Sequence, residues 1–241
     1  MIGSLAYGDK VIAYDVVFSS VLREKIRIHV HPNSCIEVEA PYEHCLTEIQ
    51  RAVRKRARWI FNQLENASNF KRHALPREYV SGETHFYIGK RYQLKVIEDR
   101  NAGSTVKLKS GRIEVVAPVA DPVAIKRRLN EWYVSKAEHY FKKRVGHVMA
   151  RISWLKHEPP IKLVSMKKQW GSCSPDGVLH LNPWLIRAPV DCIDYVIMHE
   201  ICHLRERNHS KQYYELLSAH LTDWQHVKAK LDGMAELLLA T

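Results

Sequence analysis

The sequence predicts an α+β protein in two parts: a basic N-terminal region of two hairpin-helix units, followed by a C-terminal region with a small sheet and a helix that carries closely spaced histidines. Three observations support this prediction: a short strand sequence that occurs twice, a positive charge confined to one part of the chain, and the sequence H-E-x-x-H near the C-terminus. The chain has 241 residues, of which 46% are hydrophobic. This composition is enough for a sizeable core, in one large domain or two smaller ones.

An internal repeat defines the two N-terminal units. Residues 36–41 have the sequence Ile-Glu-Val-Glu-Ala-Pro, and residues 113–118 repeat it as Ile-Glu-Val-Val-Ala-Pro. Each copy follows an alternating strand and a turn, and each precedes a basic amphipathic helix that contains a tryptophan, Trp59 or Trp132. This pattern predicts a hairpin and then a helix, twice. Residues 84–96 predict a further hairpin around a glycine, and the earlier stretch 11–18 is its expected counterpart in the first unit.

The second part of the chain begins after the pair Pro159-Pro160, so the sequence predicts regions 1–158 and 159–241. The second region contains a predicted strand over 161–166, another over 178–182, and a helix over 191–204 that holds the H-E-x-x-H sequence. We expect this order to place an edge strand beside the helix. An extended peptide could add to such an edge through backbone hydrogen bonds.

The positive charge lies outside the H-E-x-x-H region. Residues 1–160 carry 28 Lys and Arg against 17 Asp and Glu, and residues 161–241 carry nine of each. The densest basic segment is 51–58, on a predicted helix. A basic face of this kind can attract nucleic acid, a nucleotide or an acidic protein surface, and the alternative is an ordinary solvated helix face. Neither an aromatic-rich RNA-binding signature nor zinc-finger spacing accompanies the charge.

Cysteine usage and the termini predict a cytoplasmic protein. The five cysteines are odd in number and form no C-x-x-C pair, which indicates reduced thiols rather than disulfides. The first ten residues lack the pattern of a secretion signal. No segment reaches the roughly 18 apolar residues of a membrane span, so we expect no membrane partner.

The H-E-x-x-H sequence predicts a metal centre. His199 and His203 lie four residues apart, so on a helix both imidazoles project from one face and can bind one Zn²⁺ ion. His209 is the candidate third ligand, and Asn208 before it is expected to adopt the left-handed conformation of many helix ends. Three protein ligands leave a position for water, as in catalytic sites. Glu200 is placed to act as the general base. Two surface histidines would be the alternative, but the apolar residues before them favour a buried helix.

Several short motifs accompany the H-E-x-x-H sequence: Trp170-Gly171-Ser172-Cys173-Ser174, Asn182, Asp194-Tyr195-Val196 and Asn208-His209-Ser210. Together they resemble the YgjP-like metal-dependent hydrolases, which are relatives of the SprT and WLM zinc metallopeptidases. Residues 82–83 and 87–94 also resemble that family, so the resemblance covers most of the chain. It implies a zincin-like catalytic region in which His199, His203 and His209 bind one zinc ion and Glu200 is the acid/base.

Three functions remain open on the sequence. The first is a zinc-dependent metallopeptidase that acts on unfolded or extended peptides. The second is a metal-dependent nucleotide phosphoanhydride hydrolase, although the sequence has no glycine-rich phosphate loop. The third is a DNA-associated protease that acts on proteins bound to nucleic acid, which is inferred only by analogy with the SprT-like relatives.

Other polar residues near the motif are weaker candidates for roles in the site. His180 and Asn182 could contact substrate from an edge strand, and Tyr213 or Tyr214 could donate a hydrogen bond to a developing oxyanion. Glu215 or Asp223 could orient a ligand histidine, and the sequence does not select between them.

Overall fold

The computed structural model describes residues 2–7, 10–19, 26–30, 35–62, 64, 77–101, 103–167 and 169–239. The chain forms two compact units, Met1–Ala74 and Leu75–Thr241. The α+β prediction is confirmed, because both units combine sheets with helices.

The first unit contains a four-stranded sheet and a helix. Its strands are β1 (Ile2–Tyr7), β2 (Lys10–Ser19), β3 (Arg27–Val30) and β4 (Ile36–Pro41), in the order β1-β2-β4-β3. β2 and β4 run parallel, and the outer pairs are antiparallel. The helix α1 (Leu46–Lys55) buries Ile49 and Val53, one turn apart, in the core of this unit. Residues 57–62 continue in helical conformation.

The second unit begins with the same arrangement. Its strands are β5 (Thr84–Tyr87), β6 (Lys90–Glu98), β7 (Thr105–Lys109) and β8 (Arg112–Ala117), in the order β5-β6-β8-β7. The helix α2 (Pro122–Met149) follows. The Asp121 side chain accepts a hydrogen bond from the backbone N–H of Ala124, and a proline stands in the first turn, so the start of α2 has the expected capping chemistry.

Strand register matches between the two sheets. Asp15 lies opposite Glu37 in the β2–β4 pair, and Lys95 lies opposite Glu114 in the β6–β8 pair. Because Glu37 and Glu114 are the second residues of the repeated sequence, the two sheets correspond residue by residue. The repeat found in six residues therefore extends to four strands and the start of a helix.

The C-terminal part of the second unit contains a three-stranded sheet and four helical segments. The strands are β9 (Ile161–Leu163), β10 (Gly171–Cys173) and β11 (Leu179–Leu181), in the order β10-β11-β9. The helical segments are a 3-10 helix (Pro183–Arg187), α3 (Val190–Cys202), α4 (Lys211–His220) and α5 (Trp224–Leu239). β9 and β11 are shorter than the strands predicted over 161–166 and 178–182. Irregular chain follows β9, and the 3-10 helix begins soon after β11.

One core runs through the whole second unit. Buried residues from Phe86 in the hairpin, Phe141 in α2, Ile197 in α3 and Leu238 in α5 belong to the same cluster. The boundary between the two compact units falls at residue 74. The predicted regions 1–158 and 159–241 were defined instead by charge and motif content. The latter division stays a prediction. No helix among the described residues is long and apolar enough to cross a membrane.

Candidate metal centre

Helix α3 carries two of the three histidines of the candidate site. Nine of its thirteen residues are buried, which explains why its sequence is apolar on most sides. The helix ends at Cys202, and His203 is its C-cap residue, still in helical conformation. His199 and His203 therefore stand one turn apart, and their ring centroids are separated by 5.1 Å.

The segment after α3 brings His209 back to the helix. The backbone N–H groups of Leu204 and Glu206 donate to the carbonyls of Ile201 and Cys202, at 3.0 and 2.9 Å, and tighten the last turn. Asn208 does not have a positive φ, so the predicted left-handed residue is wrong. The backbone hydrogen bonds after α3 reverse the chain without a left-handed residue. Ser210 then caps α4 by accepting a hydrogen bond from a backbone N–H.

The three histidines converge on one point. Each has a ring nitrogen that lies within 4.8 Å of the corresponding atoms of the other two, and the Nε2 atoms of His199 and His209 are 3.0 Å apart. Zinc–nitrogen bonds of 2.0–2.1 Å separate tetrahedral ligands by about 3.3 Å, so this donor set fits a Zn²⁺ ion with small adjustments. The Nδ1 atom of His203 lies 3.0 Å from the carbonyl oxygen of Glu206, which fixes that ring with Nε2 toward the centre.

The protonation of the histidines also suits a metal. Burial, and secondarily the neighbouring histidines, lower the pKa of His199 to about 3. Burial lowers the pKa of His203 below its usual value as well. Both imidazoles are therefore neutral at pH 7, which is the form that binds a metal ion.

Tyr213 lies beside all three histidines and positions them. It is fully buried, its ring stacks on that of His203 at 4.6 Å between centroids, and its hydroxyl donates to the backbone carbonyl of His199 at 3.1 Å. Because that hydroxyl is already engaged inside the core, the structure does not favour it as an oxyanion donor. Tyr214 is exposed and stacks on Trp224, with ring centroids 5.3 Å apart.

Glu200 is buried between α3 and the edge strand β10. Only 4% of the residue is exposed, and it makes no ion pair or hydrogen bond with any described residue. Burial raises the pKa of Glu200 to about 8, and a cation bound at the histidines would lower it again. A Cβ atom placed on Gly171 would lie 2.7 Å from the Oε1 atom of Glu200. The glycine of the Trp-Gly-Ser-Cys motif therefore leaves the space that this carboxyl group occupies.

The structure changes the interpretation of the weaker candidates. His180 lies in β11, which is the central strand, so the predicted edge position for it and Asn182 is wrong; the edge strand beside α3 is β10. Asn182 is fully buried and holds the chain by donating from Nδ2 to the carbonyls of Met166 and Gln169. Glu215 forms a surface ion pair with Lys211 rather than contacting a histidine. Cys202 is buried in the core and does not belong to the histidine cluster.

Two contacts that hold α3 in place were not predicted from the sequence. Arg144 of α2 forms a two-pronged ion pair with Asp194, with Nε–Oδ1 and Nη2–Oδ2 distances of 2.8 and 2.5 Å. The tip of the β5–β6 hairpin also docks before α3, where the Ile88 N–H donates to the carbonyl of Ile186 at 2.8 Å. Ile88 and Gly89 both have positive φ, as in a type I′ turn. The turn was recognisable from the glycine, but its docking partner was not.

Comparison with known proteins places the chain in a family. It is similar to two solved metallopeptidase zymogens: jannalysin of Methanocaldococcus jannaschii, with 20% identity over 38% of this chain and 92% of that chain at a TM-score of 0.34, and abylysin of Pyrococcus abyssi, with 14% identity over 40% and 94% at a TM-score of 0.36. At TM-scores this low the likeness implies nothing further for this chain. Comparison with curated proteins gave no significant match.

A family model described as "YgjP-like, metallopeptidase domain" matches residues 24–234, which is most of the chain and includes every residue of the candidate site. The resemblance predicted from the motifs is thus confirmed, and the chain, a metal-dependent hydrolase, belongs to the YgjP-like metallopeptidase family.

Proposed function

We propose that this chain is a zinc-dependent peptidase of zincin-like architecture in which His199, His203 and His209 hold the metal and Glu200 is the general base. The observation that supports it is the convergence of three imidazoles, of which burial keeps those of His199 and His203 neutral at pH 7, next to a buried carboxyl group that makes no hydrogen bond or ion pair with the described residues. When bound, a Zn²⁺ ion would polarise the scissile carbonyl and lower the pKa of a bound water to about 7.

Glu200 supplies the proton transfers. Its position next to the first ligand places the carboxylate where it can take a proton from the attacking water and deliver it to the leaving amine. Burial between α3 and β10 excludes other proton donors and keeps the carboxylate in one place. A cation held at the histidines would favour the ionised carboxylate, which is the form that accepts the proton in the first of these transfers.

The edge strand β10 supplies the binding surface for a peptide. One side of β10 pairs with β11, and no described strand pairs with its other side. An extended peptide that adds to this free edge would be held by backbone hydrogen bonds, with little dependence on its sequence. Because Gly171 contacts Glu200, the bound peptide would pass next to the general base.

Metal content and activity of Glu200→Gln test this proposal together. We expect one zinc per chain, by elemental analysis, in both the wild type and the variant, and hydrolysis of an unfolded protein such as casein only in the wild type. Glu215→Gln is the matched control, since that glutamate is exposed and pairs with a lysine on α4. A nucleotide panel is assayed in parallel, and turnover of nucleotides without casein cleavage would contradict the peptidase assignment.

A further inference from the structure

We propose that the exposed face of α1 and the residues that follow it bind single-stranded nucleic acid. This basic stripe consists of Arg51, Arg54, Lys55 and Arg58, and Trp59 lies at its edge. The inference concerns the first compact unit and does not depend on the peptidase assignment.

The stripe is an uncompensated positive surface. All four cations are exposed, on the side of the helix opposite Ile49 and Val53, and they fall within about 10 Å of helix length. Among the described residues none of the four forms an ion pair. Four like charges this close repel one another, so they raise the energy of the free protein and favour association with a polyanion.

Trp59 adds a feature that charge alone does not explain. The residue is 45% exposed, whereas an indole in a small unit normally contributes to the core. An exposed aromatic ring beside cations is the combination that single-stranded nucleic acid requires, because bases stack on the ring while phosphates contact the cations.

The second hairpin-helix unit shows that the fold does not require the stripe. Aligning the helix N-caps, Cys45 and Asp121, superposes the buried positions Ile49 and Val53 on Ile125 and Leu129, which are also buried. The last three positions of the stripe and that of Trp59 are occupied in α2 by uncharged or acidic residues: Asn130, Glu131, Val134 and Ser135.

The two tryptophans also differ between the units. Trp132 aligns with Arg56 rather than with Trp59, is 9% exposed, and packs against Tyr87 with ring centroids 5.1 Å apart. The two tryptophans therefore occupy different positions on their helices: Trp132 belongs to the core, whereas Trp59 lies at the surface. The position that corresponds to Trp59 is filled in α2 by Ser135, so the arrangement does not require an indole there.

Nucleic acid fits this surface better than a membrane does. Ile49 and Val53 of α1 are buried in the core of the first unit, and Leu46 at its start is the one large apolar residue of the helix left exposed, so no continuous apolar face remains to enter a bilayer. Three of the four cations are arginines, whose planar guanidinium groups match phosphate geometry. An unpaired base offers Trp59 an open face, which a stacked duplex does not.

The test uses the full chain and a fluorescein-labelled 20-nucleotide oligothymidylate in fluorescence anisotropy. If four phosphates are neutralised, affinity should fall about 50-fold between 50 and 200 mM salt. Replacing the four cations of the stripe by Gln should weaken binding about tenfold or more and flatten the salt dependence. Trp59→Ala should weaken binding about 5- to 150-fold, as expected for loss of one stacked base.

A matched control removes the same charge elsewhere. Four exposed cations of the second sheet, which also lack ion pairs among the described residues, serve this purpose: Lys95, Lys107, Lys109 and Arg112. Their replacement by Gln should change the affinity less than about threefold if the stripe itself binds the oligonucleotide. Equal loss in both variants, no effect of Trp59→Ala, or equally tight binding of a duplex or of anionic vesicles would each overturn the proposal.

Discussion

Substitution of Gly171 by alanine tests whether the edge strand confines the general base. The added Cβ would lie 2.7 Å from Oε1 and 2.9 Å from Cγ of Glu200. The carboxyl group would have to move by about 0.7 Å to reach ordinary contact. A shift of this size would take the carboxyl group out of line with the site.

The expected loss of activity follows from that displacement. A misplacement of about 1 Å commonly costs about 100-fold in rate, which corresponds to about 2.7 kcal/mol of activation free energy. We therefore expect kcat/KM for peptide hydrolysis to fall about 30- to 100-fold in Gly171→Ala. Loss of the carboxylate in Glu200→Gln should cost as much or more, since general acid–base catalysis contributes about 10²- to 10⁴-fold.

The assay measures kcat/KM, metal content and thermal stability of the same preparation. Gly146→Ala is the matched control, because that glycine lies inside α2 and a Cβ there meets no atom within 4 Å. It should leave activity unchanged and stabilise the helix by about 0.5–1 kcal/mol. Unchanged activity in Gly171→Ala would refute the confinement of Glu200. Loss of zinc in that variant would show that the glycine supports the ligands instead.

Three further changes have defined outcomes. Burial, with Arg77 nearby, lowers the pKa of His85 to about 3. As pH falls, the unfolded chain therefore binds a proton at this histidine before the folded chain does. The free energy of unfolding should fall by up to about 1.4 kcal/mol per pH unit between pH 6.5 and pH 3. Urea titrations should show a shallower fall in His85→Gln. Asp194→Asn should cost about 1.5–3 kcal/mol in the same assay by weakening the hydrogen bonds from Arg144, and an unchanged midpoint would contradict that role. Adding zinc to the chelated protein should raise stability by about 4 kcal/mol at 1,000 times Kd, and a gain of the same size in His209→Ala would argue against that ligand.

The local sequence was enough to predict that the three histidines lie together, because helical spacing is a strong constraint. A helix with His199 and His203 must present both rings on one side, and a short polar segment can hardly carry His209 far away. The same reasoning failed at Asn208, because several backbone arrangements can reverse a chain and the sequence does not distinguish them.

Contacts between distant segments were not predictable in this way. Nothing near Arg144 indicates that it reaches Asp194, fifty residues later, since ion pairs of this kind depend on how two helices pack. The strand order β10-β11-β9 was missed for the same reason: alternation within β11 indicates a strand, but the choice of centre or edge is made by its neighbours. The motif glycine at 171 was visible as a pattern, and only the position of Glu200 explains it.

Two turns of the same conformation differ in how much change they should accept. Ser110 and Gly111 form a turn with both φ angles positive, like Ile88 and Gly89. A Cβ on Gly111 meets nothing within 4 Å, whereas one on Gly89 would lie 2.8 Å from the Cα atom of Pro189, at the start of helix α3. A peptide tag or a fluorescent label should therefore be tolerated at the 110–111 turn, as at most exposed hairpin tips. The same insertion at 88–89 should shift α3 and with it His199 and His203, so labels at the two turns would separate a neutral position from one that disturbs the candidate site.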